Sequence, residues 1–212
     1  MIYKGRDYKI MKNSKLLYLF LIVSIPSFLS CATTTVTDVW KDEAYQGKAH
    51  KIVVIMAAKM PEMRKIFEDR FVAELDKRGD NAIQSYKIIP TEQLTDRELA
   101  KTRIVGIGAD TVILSRLVDS KTVEAGMAGQ VYRVPGPYYG WGTYYDTVFG
   151  AGYSYTGNVQ VSYIETNVYD VKTEKLIWSA HSKTERTEGE QQLINAFIKV
   201  IISKLASADI IE

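Results

Sequence analysis

The chain has 212 residues, 46% hydrophobic and 25% charged, proportions that exclude a disordered chain and leave room for one globular domain with appendages. Its formal net charge is +2, but residues 1–30 hold Lys4, Arg6, Lys9, Lys12 and Lys15 against Asp7 alone; the remainder carries 22 basic and 24 acidic residues and is net −2. A nucleic-acid partner needs a basic face on the folded part, which nothing in this balance favours, and the single cysteine, Cys31, excludes an internal disulfide.

From Leu16 to Leu29 the chain reads "LLYLFLIVSIPSFL", an uncharged run behind basic residues. As a helix this run rises about 21 Å, short of the roughly 30 Å apolar core of a bilayer. It has the length and flanks of a signal-peptide core. Residues 1–30 are therefore expected to be a leader, with 1–10 a doubtful extension because Met11 opens a complete basic region of its own. The run ends in "FLSC", Phe28 to Cys31, which resembles a bacterial lipobox with Phe28 in place of the usual leucine. That resemblance implies an acylated Cys31 (a palmitate-bearing lipoprotein cysteine). Ala32 follows it, where an inner-membrane retention signal carries aspartate. The implied location is the outer membrane, lipid-anchored and facing the periplasm. Residues 31–48, Thr-rich and then mixed, read as the acylated cysteine and a tether.

One α/β (α+β) domain is expected over 49–212. "KIVVIMAA" (51–58) is an apolar, β-branched run suited to a buried strand. Pro61 opens a helix whose Met63, Ile66, Phe67, Phe71 and Leu75 recur at threes and fours, with Gly79 as its stop. "AIQSYKII" (82–89) reads as a second strand. Thr95 and Glu98 have capping-box spacing before a second helix, and "ADTVILSRLVD" (109–119) as a third strand. The order β-α-β-α-β predicts a mixed sheet whose first strands are parallel. A Gly/Tyr-rich insertion follows at 124–158. "VQVSYIETNVYDVKTEKLIWSAHSKTERT" (159–187) then reads as a β-hairpin turning at Asp170–Lys175. A last helix, with Thr187 and Glu190 as its capping box, presents Ile194, Phe197, Ile198, Ile201, Ile202 and Leu205 to a sheet face.

"VWKDEAYQGKAHKIVVI" (39–55), "RKIFEDRFVAELDKRG" (64–79), "GAD" (108–110) and "ETNVYDVKTEKLIWSA" (165–180) resemble an uncharacterised family of bacterial lipoproteins over roughly Trp40 to Ala180. The sequence departs from it at Glu174, where such turns carry glycine. The element order is also similar to TolB N-terminal-type periplasmic domains, which occur in lipoproteins that activate penicillin-binding proteins and in the curli secretion lipoprotein. Neither resemblance supplies a reaction, a cofactor or catalytic residues.

The residues themselves point away from catalysis. His50 and His181 stand alone without zinc-ligand spacing; the plainer reading is two surface histidines, and no metal or cofactor is expected. "VGIGAD" begins a G-x-G, but it lies between a helix and a strand, the reverse of a dinucleotide fingerprint. Glu68, Asp69 and Arg70 suggest acid/base work, yet their spacing against Phe67 and Phe71 predicts a solvated helix face. There is no G-x-S-x-G around a serine. What remains is the insertion. Between Glu124 and Asn158 lie eight of the 14 glycines and seven of the 14 tyrosines, with Trp141 and Phe149.

Such rings suit stacking on a sugar or gripping a protein; the alternatives are a membrane-interface belt and a hairpin whose aromatics fold back on the sheet. The expectation is a non-enzymatic, membrane-anchored envelope lipoprotein acting as an interaction or assembly module. Tyr138, Tyr139, Trp141, Tyr144 and Tyr145 would be its contacts to an envelope protein or to peptidoglycan. A component of a secretion or pore assembly is the second reading, weakened because the segment alternates poorly. An envelope hydrolase is the third.

Overall fold

A computed structural model describes residues 33–58, 60–121, 140–150, 161–185 and 190–212. Cys31, Tyr138, Tyr139 and Thr187 lie outside the described residues. Among these residues the helices and strands are β1 (Thr33–Lys41), β2 (Ile52–Ala57), α1 (Pro61–Asp76), β3 (Ala82–Gln84), α2 (Arg97–Gly106), β4 (Thr111–Lys121), α3 (Trp141–Gly150), β5 (Val161–Asp170), β6 (Leu176–Glu185) and α4 (Glu190–Ser207).

The strands form one mixed sheet in the order β1-β6-β5-β4-β2-β3. β2 runs parallel to both β3 and β4, as the β-α-β-α-β order predicts. β4, β5, β6 and β1 pair antiparallel, and β5–β6 is the expected hairpin. Successive side chains of a strand point to opposite faces. Ile52, Val54 and Met56 of β2 accordingly join one core with α1 and α4, while Val53 and Ile55 join another with α2 and α3. Burial on both faces explains why this strand is a continuous apolar run rather than an alternating one.

α4 covers its face as expected. Phe197, Ile201 and Leu205 are wholly buried, and the Phe197 ring lies 5.7 Å from that of Phe67 on α1. α1 is rotated from its expected stripe. Ile66 is exposed, whereas Arg64 and Glu68 are buried with Phe67, Phe71, Val72 and Leu75. The wet-face expectation for Glu68 is thus corrected. Its carboxylate pairs with Arg64 at 2.9 Å and accepts from Met56 N–H, Ser85 O–H and Tyr86 N–H at 2.7–3.0 Å. Those bonds also shorten β3. Ser85–Lys87 closes into a 3₁₀ turn because its polar groups serve Glu68 instead of a strand ladder. Gly79, at φ +96°, ends α1 in the left-handed region as expected. α2 is capped not by Thr95 but by Asp96, whose carboxylate accepts the Leu99 N–H at 3.0 Å.

The stretch expected to be a tether contains β1. Its β-branched Thr and Val residues suit extended backbone, and β6 offers them an unpaired edge. The register runs from Thr33↔Glu185 to Lys41↔Trp178, with a bulge between Val36 and Asp38. The sheet therefore begins two residues after Cys31.

Replacing the fully buried Phe197 with Ala should destabilise the domain by about 3–5 kcal/mol. Calorimetry on the soluble domain checks this; an unchanged melting temperature would mean that α4 does not close the α1 face.

Candidate functional site

The Gly/Tyr-rich insertion holds a helix. In α3, Trp141, Tyr144, Tyr145 and Val148 are 4%, 5%, 0% and 3% exposed. Their spacing of three, four and seven is that of one helical stripe, and it packs on Val112, Leu114, Tyr169 and Leu176. Trp141 meets Tyr169 edge-on at 5.6 Å and Tyr145 at 4.7 Å; Tyr144 lies 5.8 Å from Tyr169. The expectation that Trp141, Tyr144 and Tyr145 form an exposed contact surface is corrected. These rings bury large apolar areas against the sheet, and removing such a ring from a core costs about 3–5 kcal/mol. Of the five expected contacts, Tyr138 and Tyr139 immediately precede the described helix.

Polar groups fix where α3 sits. The Trp141 N–H donates to the Glu174 carbonyl at 3.0 Å. Glu174 holds φ +56°, a conformation glycine adopts without cost, and its carboxylate pairs with Lys101 of α2. The Glu174 side chain thus ties the β5–β6 turn to α2. Asp146 pairs with Arg97 at 2.9 Å, and the Tyr145 O–H donates to the Leu94 carbonyl at 2.7 Å.

Beneath α3 a charged row crosses the sheet. Arg116 of β4, Glu165 of β5 and His181 of β6 are register neighbours, and Asp38 of β1 comes next. Glu165 is buried and pairs with Arg116. It also accepts from Tyr144 O–H at 2.8 Å and from Asn167 Nδ2 at 3.3 Å. The Arg116 guanidinium lies 5.4 Å from the Tyr144 ring centre, within cation–π range. His181 stands at the rim, 41% exposed, its Nε2 3.7 Å from Glu165. Burial first, and then the Glu165 charge, push the Tyr144 phenol well above its ordinary value. It therefore stays protonated and donating. Glu165, with its oxygens engaged by donors, is arranged as a clamp on α3 rather than as a free base.

The second buried pair occupies the other obvious place for chemistry. Open α/β sheets bind ligands outside the carboxyl ends of their parallel strands. Here Glu68 bonds Met56 near the carboxyl end of β2, and Arg64 reaches Ser85 at 2.7 Å and Thr91 at 3.2 Å. The chain's own side chains fill that crevice. Burial raises the Glu68 carboxyl, while Arg64 and the three hydrogen bonds pull it back. Among the described residues no group of three or more His, Cys, Asp or Glu could hold a metal ion. His50 is exposed and contributes its backbone, its N–H bonding Asp110 at 3.1 Å.

No protein-family model matches the chain, and no curated protein matches it. Among solved structures it is similar to the PelC dodecamer from Paraburkholderia phytofirmans, at 16% identity over 82% of this chain and 97% of that one, TM-score 0.47. It is also similar to lipoprotein GNA1162 from Neisseria meningitidis, at 12% identity over 74% of this chain and 98% of that one, TM-score 0.38.

The buried phenols give the domain an alkaline liability. Tyr144, Tyr145 and Tyr169 are all raised from 10.0, chiefly by burial. A raised folded value means that the stabilising contribution is complete below the unfolded value and is lost as pH climbs past it. Stability should therefore fall above pH 10.0, the ordinary phenol value. Denaturant titrations of wild type, Tyr144→Phe and Tyr145→Phe across that range measure it, and each variant should show a shallower fall. Equal slopes in all three would remove these phenols as the cause.

Proposed function

We propose that the chain is a lipid-anchored module of the bacterial cell envelope, without a catalytic role, that holds a Gly/Tyr-rich segment ready for a partner. The observation that carries this reading is the continuous run "LLYLFLIVSIPSFLSC" set two residues before β1. A leader core too short to span a bilayer, a lipobox-like ending and an immediate start of folded structure suit a protein held by acyl chains on Cys31. No helix among the described residues is long and apolar enough to cross a membrane. Ala32 favours the outer membrane.

The non-catalytic part of the reading is supported by the two buried ion pairs, Arg64–Glu68 and Arg116–Glu165, whose carboxylates are engaged by the chain's own donors. The partner is an envelope protein or peptidoglycan. α3 serves as the foot that fixes the segment to the sheet, and Tyr138 and Tyr139, next to that foot, are the contact residues.

Changing Cys31 to Ser should release the protein from the membrane fraction or leave it as an uncleaved precursor. Normal acylation and retention of that variant would overturn the anchor. The contact role has its own test. Tyr138→Ser with Tyr139→Ser should leave the melting temperature unchanged while binding to isolated peptidoglycan, or crosslinking to envelope proteins, drops sharply, because aromatic anchors dominate contact energies. Unchanged binding in both assays would remove these two rings from the interface.

A further inference from the structure

The lipid anchor, if the proposed reading holds, also orients the domain. Thr33 pairs with Glu185, Glu185 with Val161, and Val161 with Lys121. These four positions form one row across β1, β6, β5 and β4. β2 stops short of it, since its last paired residue, Ala57, lies opposite Arg116. The four antiparallel strands thus overhang the parallel part of the sheet by the length of 117–121, about 16 Å at the usual rise.

Three features of the chain meet at this overhanging end. β1 begins there, and Cys31 lies two residues before Thr33, a reach of about 7 Å at full extension. β4 ends there at Lys121 and β5 begins there at Val161, so the Gly/Tyr-rich stretch leaves and rejoins the sheet at the same row. Beside the row, Lys183 pairs with Glu185. The opposite end is the turn between Asp170 and Leu176. It lies the full ten residues of β5 away, about 33 Å.

We propose that the sheet end formed by Thr33, Glu185, Val161 and Lys121 is the membrane-facing surface of the domain. The strands stand off the bilayer, and the β5–β6 turn, with the start of α3 bonded to it through Glu174, points away. The link to the acylated cysteine reaches at most about 7 Å, which keeps that row near headgroup level. The partner of this surface is the lipid bilayer itself.

The test uses the full acylated chain, in which Cys31 offers no free thiol. Cysteines are introduced singly as Glu185→Cys, Thr35→Cys and Lys172→Cys, all at exposed positions. Each is labelled with a thiol-reactive fluorophore and reconstituted into phosphatidylethanolamine/phosphatidylglycerol vesicles carrying a nitroxide-headgroup lipid. Loss of most of the fluorescence at 185 and 35, with none lost at 172, is the expected result. Equal quenching at all three positions, or quenching at 172 alone, would overturn the orientation. Labelling of the parent chain at Cys31, or failure to float with the vesicles, would instead overturn the anchor, and the orientation with it.

Discussion

The antiparallel half of this domain depends on one buried carboxylate. Glu165 sits in the middle of β5, where a charge out of water is tolerated only if it is paired and hydrogen-bonded. Arg116 of β4, Tyr144 of α3 and Asn167 of its own strand meet that demand. Each partner comes with a geometric consequence. Arg116 must be opposite Glu165, which pins the β4–β5 register. Tyr144 must reach down from above, which pins α3 to that stretch of sheet. An apolar residue at 165 would bury as well but would not say where the helix belongs. Such pairs are weak sources of net stability; here the geometry they impose is what counts.

The parallel half repeats the device with different parts. Arg64 and Glu68 are one helical turn apart on α1, and they bind β2, the 3₁₀ turn after β3 and Thr91. Arg64 and Glu68 bond backbone and side chains near the carboxyl end of β2, and Arg116 and Tyr144 meet Glu165 on the sheet face beneath α3.

How much of this was legible in the sequence follows from what each element asks of its residues. β2, the β5–β6 hairpin and α4 were legible because their demand is apolar and periodic. "KIVVIMAA" has no other comfortable place than a sheet buried on both faces. β1 was not, because an edge strand paired on one side can be built from Thr, and Thr-rich stretches also make linkers. Glu68 was not, because a charge on an amphipathic helix is normally a surface charge; only its partners, distant in sequence, make it a core residue. The capping residue of α2 was misplaced by one position for a similar reason, since Thr95 and Asp96 are both good caps and the choice is made by the chain around them.

α3 shows how composition can hide a pattern. Trp141, Tyr144, Tyr145 and Val148 have the spacing of a helix face, yet Gly140, Gly142 and Gly150 around them suggest slack. Two of these glycines have close neighbours in the structure. A Cβ on Gly142 would lie 3.1 Å from Nη1 of Arg97, the same guanidinium that holds Asp146. One at Gly140 would lie 3.4 Å from the Glu174 carbonyl, the acceptor for the first turn of the helix. Between Gly140 and Gly150 large rings fill the space between helix and sheet. The aromatic residues on the α3 stripe belong to the core.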